Sequence, residues 1–173
     1  MNSKKSLLEK LMDFCETIMN NVIFILFLTL IVSSFAQVVF RRVFNASLTW
    51  SEELARYTGI WMIMMSTAIG FKHREHIAID FFVGKLKAGK RKLVTVINDM
   101  ISVIVMMFFT YYSFVLLLKT KAVPSPAMRI PMGFVYTGVV IGGFFSVVFI
   151  ITALIKLIKS PIEQLDSKTV GGE

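Results

Sequence analysis

Residues 48–57 read LTWSEELARY, residues 58–71 read TGIWMIMMSTAIGF and residues 72–80 read KHREHIAID. A charged cluster therefore opens an apolar run, and a basic segment closes it. This order is typical of a helix that crosses a bilayer and keeps its ends at the headgroups. We predict a membrane-spanning helix at 54–71 and consider the rest of the chain around it.

The charged cluster carries signals for a helix start. Thr49 and Glu52 have the spacing of a capping box, in which the hydroxyl accepts from an early backbone N–H and the carboxylate reaches back to the cap. Glu52 and Glu53 stand four and three residues before Arg56, so either can pair with it on one helix face. If one of these carboxylates pairs with Arg56, the other has no local partner, and a basic residue of a partner protein would pair with it. The cluster is thus either a cap with local ion pairs or a subunit contact.

Composition places the whole chain in a membrane. Of its 173 residues 55% are hydrophobic, and the mean hydropathy is +0.72. Further apolar runs at 21–40, 93–118 and 132–155 are each long enough to cross a hydrocarbon core of about 30 Å. A cleaved signal peptide is the alternative for the first run, but the polar lead is long and the run exceeds a normal signal core. We predict an all-α integral membrane protein with four transmembrane helices in a single domain, 1–173.

Two further segments are amphipathic. Residues 1–20 place Leu7, Leu11, Phe14 and Ile18 at helical spacing, which predicts an N-terminal amphipathic helix on the membrane surface or against a partner. The alternative is a continuation of the first span into water. Residues 72–92 predict an interfacial segment with snorkelling basic side chains. Its candidate interfacial residues are Lys72, Arg74, His76, Asp80, Lys85, Lys87, Lys90, Arg91 and Lys92.

The distribution of Lys and Arg predicts the orientation. Of the 19 such residues, 13 lie in the N-terminal segment, in 72–92 and in the C-terminal segment. The remaining six are Arg41, Arg42, Arg56, Lys119, Lys121 and Arg129. The positive-inside rule therefore places both termini and the middle segment in the cytoplasm. Topology and lipid headgroups explain the net charge of +8 more simply than nucleic acid does.

The sequence shows little that points to chemistry. The single Cys15 excludes an internal disulfide and a Cys-pair metal site. His73 and His76 lack an evident third metal ligand, and neither lies inside a span, where a membrane haem would need it. Asp99 is the only acidic residue well inside an apolar run, so it either couples ions or meets headgroup water or a basic side chain. We predict no catalytic residue, cofactor or metal site on this chain, and no enzyme activity.

The last span carries small residues at intervals of four, Gly138, Gly142 and Ser146. Small residues on one face allow two helix backbones to approach closely. The spacing therefore favours close packing of this span on another helix, in this chain or in a partner subunit.

The motifs together resemble a known family. The residues WSEELAR at 50–56, HIAID at 76–80 and RIP at 129–131 occur in this order across four predicted spans. In this arrangement the chain resembles the small membrane subunit, the Q component, of the tripartite ATP-independent periplasmic (TRAP) transporters. The resemblance extends from about residue 10 to residue 158.

This resemblance implies a multi-pass protein of the bacterial inner membrane that pairs with a large membrane subunit. The large subunit would hold the substrate and sodium sites and move as an elevator, while a periplasmic binding protein delivers an organic acid. The pattern is most similar to the sialic acid (N-acetylneuraminate) branch, with C4-dicarboxylates as the alternative. The small subunit would enlarge the static scaffold and help to dock the binding protein. Its docking candidates are Arg41, Arg42, Lys119, Lys121 and Arg129, and its subunit-interface candidates are Trp50, Glu52, Glu53, Arg56, Gly138 and Gly142.

Two other functional classes stay open. One is a self-contained four-helix transporter, a homodimer in which Asp99 couples ions. The other is a membrane anchor subunit of an enzyme complex, against which the absence of histidines from the predicted spans argues.

Overall fold

The computed structural model describes residues 7–73 and 88–159, and these residues form an all-helical protein. The helices are α1 (Leu7–Val43), α2 (Thr49–His73), α3 (Ala88–Thr120) and α4 (Met132–Lys159). Each contains one of the four predicted apolar runs, which confirms the all-α fold class. The predicted interfacial segment falls largely on residues 74–87, which lie outside the described part of the chain.

α1 is one unbroken helix of 37 residues, about 56 Å long at 1.5 Å per residue. Residues 7–20 therefore continue the first span, which was the alternative to a separate amphipathic helix. The sequence from 7 to 43 contains neither Gly nor Pro, so nothing in it interrupts the helix.

Three of the helices are long and apolar enough to cross a membrane: α1 from Glu9, α3 from Gly89 and the whole of α4. α2 has 25 residues, which is also sufficient length at the helical rise. Its apolar run is interrupted by Arg56, Ser66 and Thr67, which lower its hydropathy. The prediction of four transmembrane helices requires that α2 also crosses the membrane, and for α2 this stays a prediction.

Contacts between the helices give the spatial order α1, α2, α4, α3. The two central helices are α2 and α4, whereas α1 and α3 form the margins and leave most of their apolar side chains uncovered. We call the end that carries residues 44–48 and 121–131 the loop end. The opposite end, where α1 and α3 begin and α2 and α4 finish, is the terminal end.

The two central helices approach each other closely because α4 presents glycines to α2. A Cβ atom at Gly142 would lie 2.7 Å from the carbonyl carbon of Met64, and a Cβ at Gly138 would collide with the Trp61 ring. Ser146 continues this row and is fully buried. The small-residue row of the sequence therefore packs α4 on α2 within the chain.

Ion pairs join three helices at the terminal end. Lys72 of α2 is 2.7 Å from the Asp13 carboxylate and also pairs with Glu16, both on α1. The same ammonium group lies 5.8 Å from the ring centroid of Phe149 on α4. Lys156 of α4 pairs with α1 in turn, 2.7 Å from a Glu9 carboxylate oxygen.

These pairs correct the interpretation of Lys72 as a snorkelling interfacial residue. Its side chain is only 13% exposed, because it lies between α1 and α2 rather than against lipid headgroups. Lys92 donates to the Ile158 carbonyl at 3.1 Å, while Lys90 is exposed and Arg91 half-buried. The other five interfacial candidates, Arg74, His76, Asp80, Lys85 and Lys87, lie outside the described residues.

We predict that Gly142→Ala destabilises the chain by about 1–3 kcal/mol, because the added methyl group forces α4 away from the Met64 backbone. The matched control is Gly70→Ala in α2, where an added Cβ meets nothing within 4 Å. The control should leave the stability unchanged or raise it slightly, since Ala is the better helix former. Unfolding in detergent micelles measures both free energies. Equal stability of the two variants would contradict the close contact.

Candidate docking surface at the loop end

A buried carboxylate organises the loop between α3 and α4. The Glu53 side chain, one residue after the first turn of α2, is part of a residue only 6% exposed. Its Oε2 atom accepts hydrogen bonds from the Met128 backbone N–H at 2.7 Å and from the Ser125 hydroxyl at 3.0 Å. The Ala127 N–H donates to the same atom at 3.2 Å. One side chain of α2 thus binds three donors of residues 121–131.

The protonation state of Glu53 follows from these contacts. Burial by itself would raise the pKa of the carboxyl group, but the hydrogen bonds from Met128, Ala127 and Ser125 outweigh it and lower the pKa below its ordinary value. The carboxylate is therefore charged at neutral pH. Its contribution to the loop is present above the ordinary pKa and is lost as the pH falls through the lowered value.

The loop itself has a defined backbone. Ser125 N–H donates to the Ile130 carbonyl at 2.8 Å, and the Ile130 N–H donates back to the Ser125 hydroxyl at 3.2 Å. Between them Arg129 has a φ of +56°, a left-handed conformation that is uncommon for a residue other than glycine. Three prolines restrict the remaining backbone. The loop therefore holds Arg129 in one conformation, with its side chain exposed.

All five predicted docking cations lie at this end and are exposed: Arg41, Arg42, Lys119, Lys121 and Arg129. The first two come from the end of α1, the next two from the end of α3 and the start of the loop. A groove of about 560 Å³ is lined by Val38, Arg41, Arg42 and Asn45. The structure thus places at one end of the bundle cations that are up to 88 positions apart in the sequence.

The other residues of the charged cluster have separate environments. Glu52 accepts a hydrogen bond from the Gln37 side chain of α1 at 3.0 Å, so it links α1 to α2. The predicted capping box is wrong, since α2 begins at Thr49 and the Glu52 carboxylate turns to Gln37 instead of the cap. Within 7–73 and 88–159, Arg56 forms no ion pair with Glu52 or Glu53, because the loop and Gln37 occupy the two carboxylates.

The subunit-interface candidates therefore divide into two groups. Glu53, Gly138 and Gly142 are taken up by contacts inside this chain. Trp50, Glu52 and Arg56 are exposed at the loop end and stay predicted contacts with a partner.

The remaining polar residues of the described ranges have separate environments. In the described residues no group of three His, Cys, Asp or Glu side chains is placed to hold a metal ion. His73 pairs with Glu16 at the terminal end. Asp99 of α3 is buried and has an interaction partner, so it is not an isolated intramembrane charge.

Ser125 is the residue of this surface that sequence reasoning missed. It is 1% exposed and joins Glu53 to Ile130, yet in the sequence it is one serine in a proline-rich loop. A serine between two prolines gives no periodic signal, and its carboxylate partner is 72 positions away. Only the fold reveals its role.

Comparison with known proteins gives one consistent result. Residues 30–160 match the family described as tripartite ATP-independent periplasmic transporters, DctQ component. A Haemophilus influenzae protein named as a putative TRAP transporter small permease protein is 27% identical over 124 residues, which cover 72% of this chain and 77% of that protein.

Two further relatives carry substrate names. The sialic acid TRAP transporter permease protein SiaT of Haemophilus influenzae is 27% identical over 77 residues, 44% of this chain and 12% of that protein. The C4-dicarboxylate TRAP transporter small permease protein DctQ of Vibrio cholerae is 32% identical over 60 residues, 35% of this chain and 26% of that protein. The names of these two relatives therefore state different substrates.

We predict that Glu53→Gln loosens the loop, because an amide presents one acceptor oxygen and no charge to the three donors. Amide hydrogens of Ala127 and Met128 should exchange with solvent roughly tenfold faster or more. The matched control is Glu52→Gln, the exposed neighbour with a single side-chain bond, which should leave loop exchange unchanged. Hydrogen–deuterium exchange with mass spectrometry measures both. Unchanged exchange in Glu53→Gln would show that the loop holds its shape without the carboxylate.

Proposed function

The chain belongs to the DctQ component family of the tripartite ATP-independent periplasmic transporters, and from that premise we propose that it is the static scaffold beside a large membrane subunit. The family makes it a small TRAP transporter subunit and a membrane protein. The scaffold role, the docking of the binding protein, the coupling ion and the substrate are our proposals.

The observation that carries the scaffold proposal is that α2 is anchored at both ends. At the loop end Glu53 binds the α3–α4 loop, and at the terminal end Lys72 pairs with α1 and lies over an aromatic ring of α4. Between them Gly142 brings the α2 and α4 backbones together. A bundle tied in this way resists relative movement of its helices, as a support for a moving partner must.

Two grooves between the helices do not suit an organic anion, whereas the groove of about 560 Å³ that Arg41 and Arg42 line lies at the loop end. The groove between α1 and α2, of about 690 Å³, is open and lined mainly by apolar side chains, with Asn20, Ser66 and Thr67 as its polar residues. Another of about 520 Å³ between α3 and α4 is lined by aliphatic and aromatic side chains with Thr110. Neither groove offers a cation for a carboxylate. We therefore place the substrate and sodium sites on the large subunit.

The loop end is the proposed docking surface for the periplasmic binding protein. The positive-inside rule puts the terminal end on the cytoplasmic side of a bacterial inner membrane, so the loop end faces the periplasm. Five exposed cations there favour an acidic face on the arriving protein and would act mainly on its association rate. The Glu53-bound loop presents Arg129 in a preorganised conformation, which reduces the entropy lost on docking.

For the substrate we propose an organic acid, with sialic acid as the first candidate and C4-dicarboxylates as the second. The sequence pattern supports the first, and one relative with each of these names supports keeping both. Sodium as the driving ion is part of the same proposal and follows from the family resemblance of the sequence.

The experiment that tests the scaffold role is reconstitution into liposomes of this chain, of the large subunit and of the pair. With the binding protein present, we expect sodium-driven uptake of sialic acid by the pair only. Uptake by this chain alone would contradict the scaffold and favour a self-contained transporter with Asp99 as the residue to change. If the pair transports a C4-dicarboxylate instead of sialic acid, the substrate proposal is wrong and the scaffold proposal stands.

We further predict that Lys121→Glu with Arg129→Glu weakens binding of the binding protein to the reconstituted pair roughly tenfold or more at low ionic strength. The effect should shrink as salt is added, because exposed charges are screened. The matched control, Lys10→Glu with Lys159→Glu, makes the same charge change on exposed residues of the terminal end. Surface plasmon resonance measures the affinities. Equal weakening by both pairs of changes would contradict docking at the loop.

A further inference from the structure

A cationic groove lies at the loop end of α1. Its volume is about 560 Å³, and Val38, Arg41, Arg42 and Asn45 line it. Arg41 and Arg42 follow Val38 by three and four positions, so these three residues share one face of α1. Asn45 belongs to the segment that comes directly after the helix. The groove is therefore built by the end of one helix and the turn that follows it.

Backbone hydrogen bonds hold this turn in place. The N–H groups of Phe44 and Ala46 both donate to the Phe40 carbonyl, at 3.1 and 3.2 Å. Between them Asn45 has a φ of +50°, a left-handed conformation that asparagine adopts more readily than most residues other than glycine. The turn thus fixes the backbone of Asn45 beside the two arginines.

The two arginines bring unused hydrogen-bond donors to the groove. In the described ranges 7–73 and 88–159, no carboxylate pairs with Arg41 or Arg42, and both residues are exposed. Each guanidinium group has five N–H donors in a planar fork that fits the oxygens of a phosphate or a carboxylate. A single arginine at the end of a span reaches the headgroups without selecting a ligand. Two such forks beside one groove offer an anion several charge-assisted hydrogen bonds at once.

The depth of the groove in the membrane indicates which anion is at hand. The apolar run of α1 ends at Phe40, so Arg41 and Arg42 are the first two residues beyond the hydrocarbon core that this run crosses. At 1.5 Å per residue their backbones lie about 2–3 Å past Phe40. The headgroup layer is about 5–8 Å thick on each side of the core. Both guanidinium groups are therefore at the level of the lipid phosphates.

The surface next to the groove is apolar. Val38 forms one wall of the groove, and Phe35 and Ile31 continue the same face of α1 toward the bilayer centre. These three side chains are 59%, 70% and 46% exposed. A ligand that contacts both the arginines and this strip has a charged head and an apolar tail. A carboxylate of a soluble protein or a free organic acid would leave the strip uncovered.

The charge at the groove favours a lipid with a net negative charge. Phosphatidylethanolamine carries an ammonium group beside its phosphate, and two neighbouring arginines repel that group. Phosphatidylglycerol carries the phosphate without a cation, and basic pockets of membrane proteins bind anionic headgroups.

We propose that Arg41, Arg42 and Asn45 form a binding site for the phosphate of an anionic glycerophospholipid, whose acyl chains lie along Val38 and Phe35. The bound lipid neutralises the two arginines. It leaves the exposed cations of α3 and of the α3–α4 loop to act on an arriving binding protein. The site goes beyond the proposed scaffold function and holds whether or not the chain acts as a scaffold.

The first test titrates phosphatidylglycerol onto the purified transporter, this chain with its large subunit, and measures bound lipid by native mass spectrometry. Arg41→Gln with Arg42→Gln should weaken its binding roughly tenfold or more and leave binding of phosphatidylethanolamine unchanged. The matched control, Lys119→Gln with Lys121→Gln, removes the same charge from exposed residues at the same end and should keep full affinity. Full affinity in the arginine variant, or an equal loss in the control, would overturn the proposal.

The same titration separates a lipid from a small soluble anion. Millimolar inorganic phosphate should not displace phosphatidylglycerol from the wild-type transporter, because it makes no contact with the apolar strip. Displacement would overturn the proposal and assign the groove to a free anion.

A second measurement locates the lipid without removing the arginines. The photoreactive amino acid p-benzoylphenylalanine replaces Phe35 in the transporter, in nanodiscs of equal amounts of phosphatidylglycerol and phosphatidylethanolamine. Irradiation should give roughly threefold or more phosphatidylglycerol adducts over phosphatidylethanolamine adducts, as read by mass spectrometry. The control places the same amino acid at Phe108 of α3, which is 60% exposed and should give both adducts equally. Equal adducts at Phe35, or an adduct with a protein there, would overturn the proposal.

Discussion

The close contact of α2 with α4 is the constraint on which the rest of the structure depends. Gly142 lets the α4 backbone reach the backbone of Met64, and no larger residue fits there without moving a helix. Because α4 also packs on α3, and α2 on α1, this contact joins the two halves of the bundle. In a bilayer, where water does not drive helices together, such van der Waals packing supplies much of the association.

The two ends of α2 are held by different kinds of interaction. At the loop end the Glu53 carboxylate is satisfied by backbone N–H groups and a hydroxyl, which orders an irregular segment. At the terminal end Lys72 is satisfied by carboxylates of a neighbouring helix. A buried charge has to be paired or hydrogen-bonded, so each one links its helix to a particular partner. The loop end thereby has an ordered segment on its surface, and the described residues of the terminal end pair with one another.

A rigid bundle with charged ends and uncovered margins is consistent with a subunit that works through its contacts. Exposed cations lie at the loop end, and most apolar side chains of α1 and α3 are uncovered by the other described helices. On the proposed scaffold function, the chain contributes geometry and charge to transport rather than a binding cavity.

The sequence alone determined the four helices, the small-residue row on α4 and the positions of the loop cations, because hydrophobic runs, glycine spacing and charge are local properties. It could not determine that Glu53 would bind Ser125 or that Lys72 would bind Asp13, since these partners are 72 and 59 positions apart. The sequence favours ion pairs of Glu52 and Glu53 with the nearby Arg56. In the structure Glu52 instead accepts a hydrogen bond from Gln37, and Glu53 accepts hydrogen bonds from the loop. Which partner satisfies a charge depends on which helices lie side by side, and only the tertiary structure decides that.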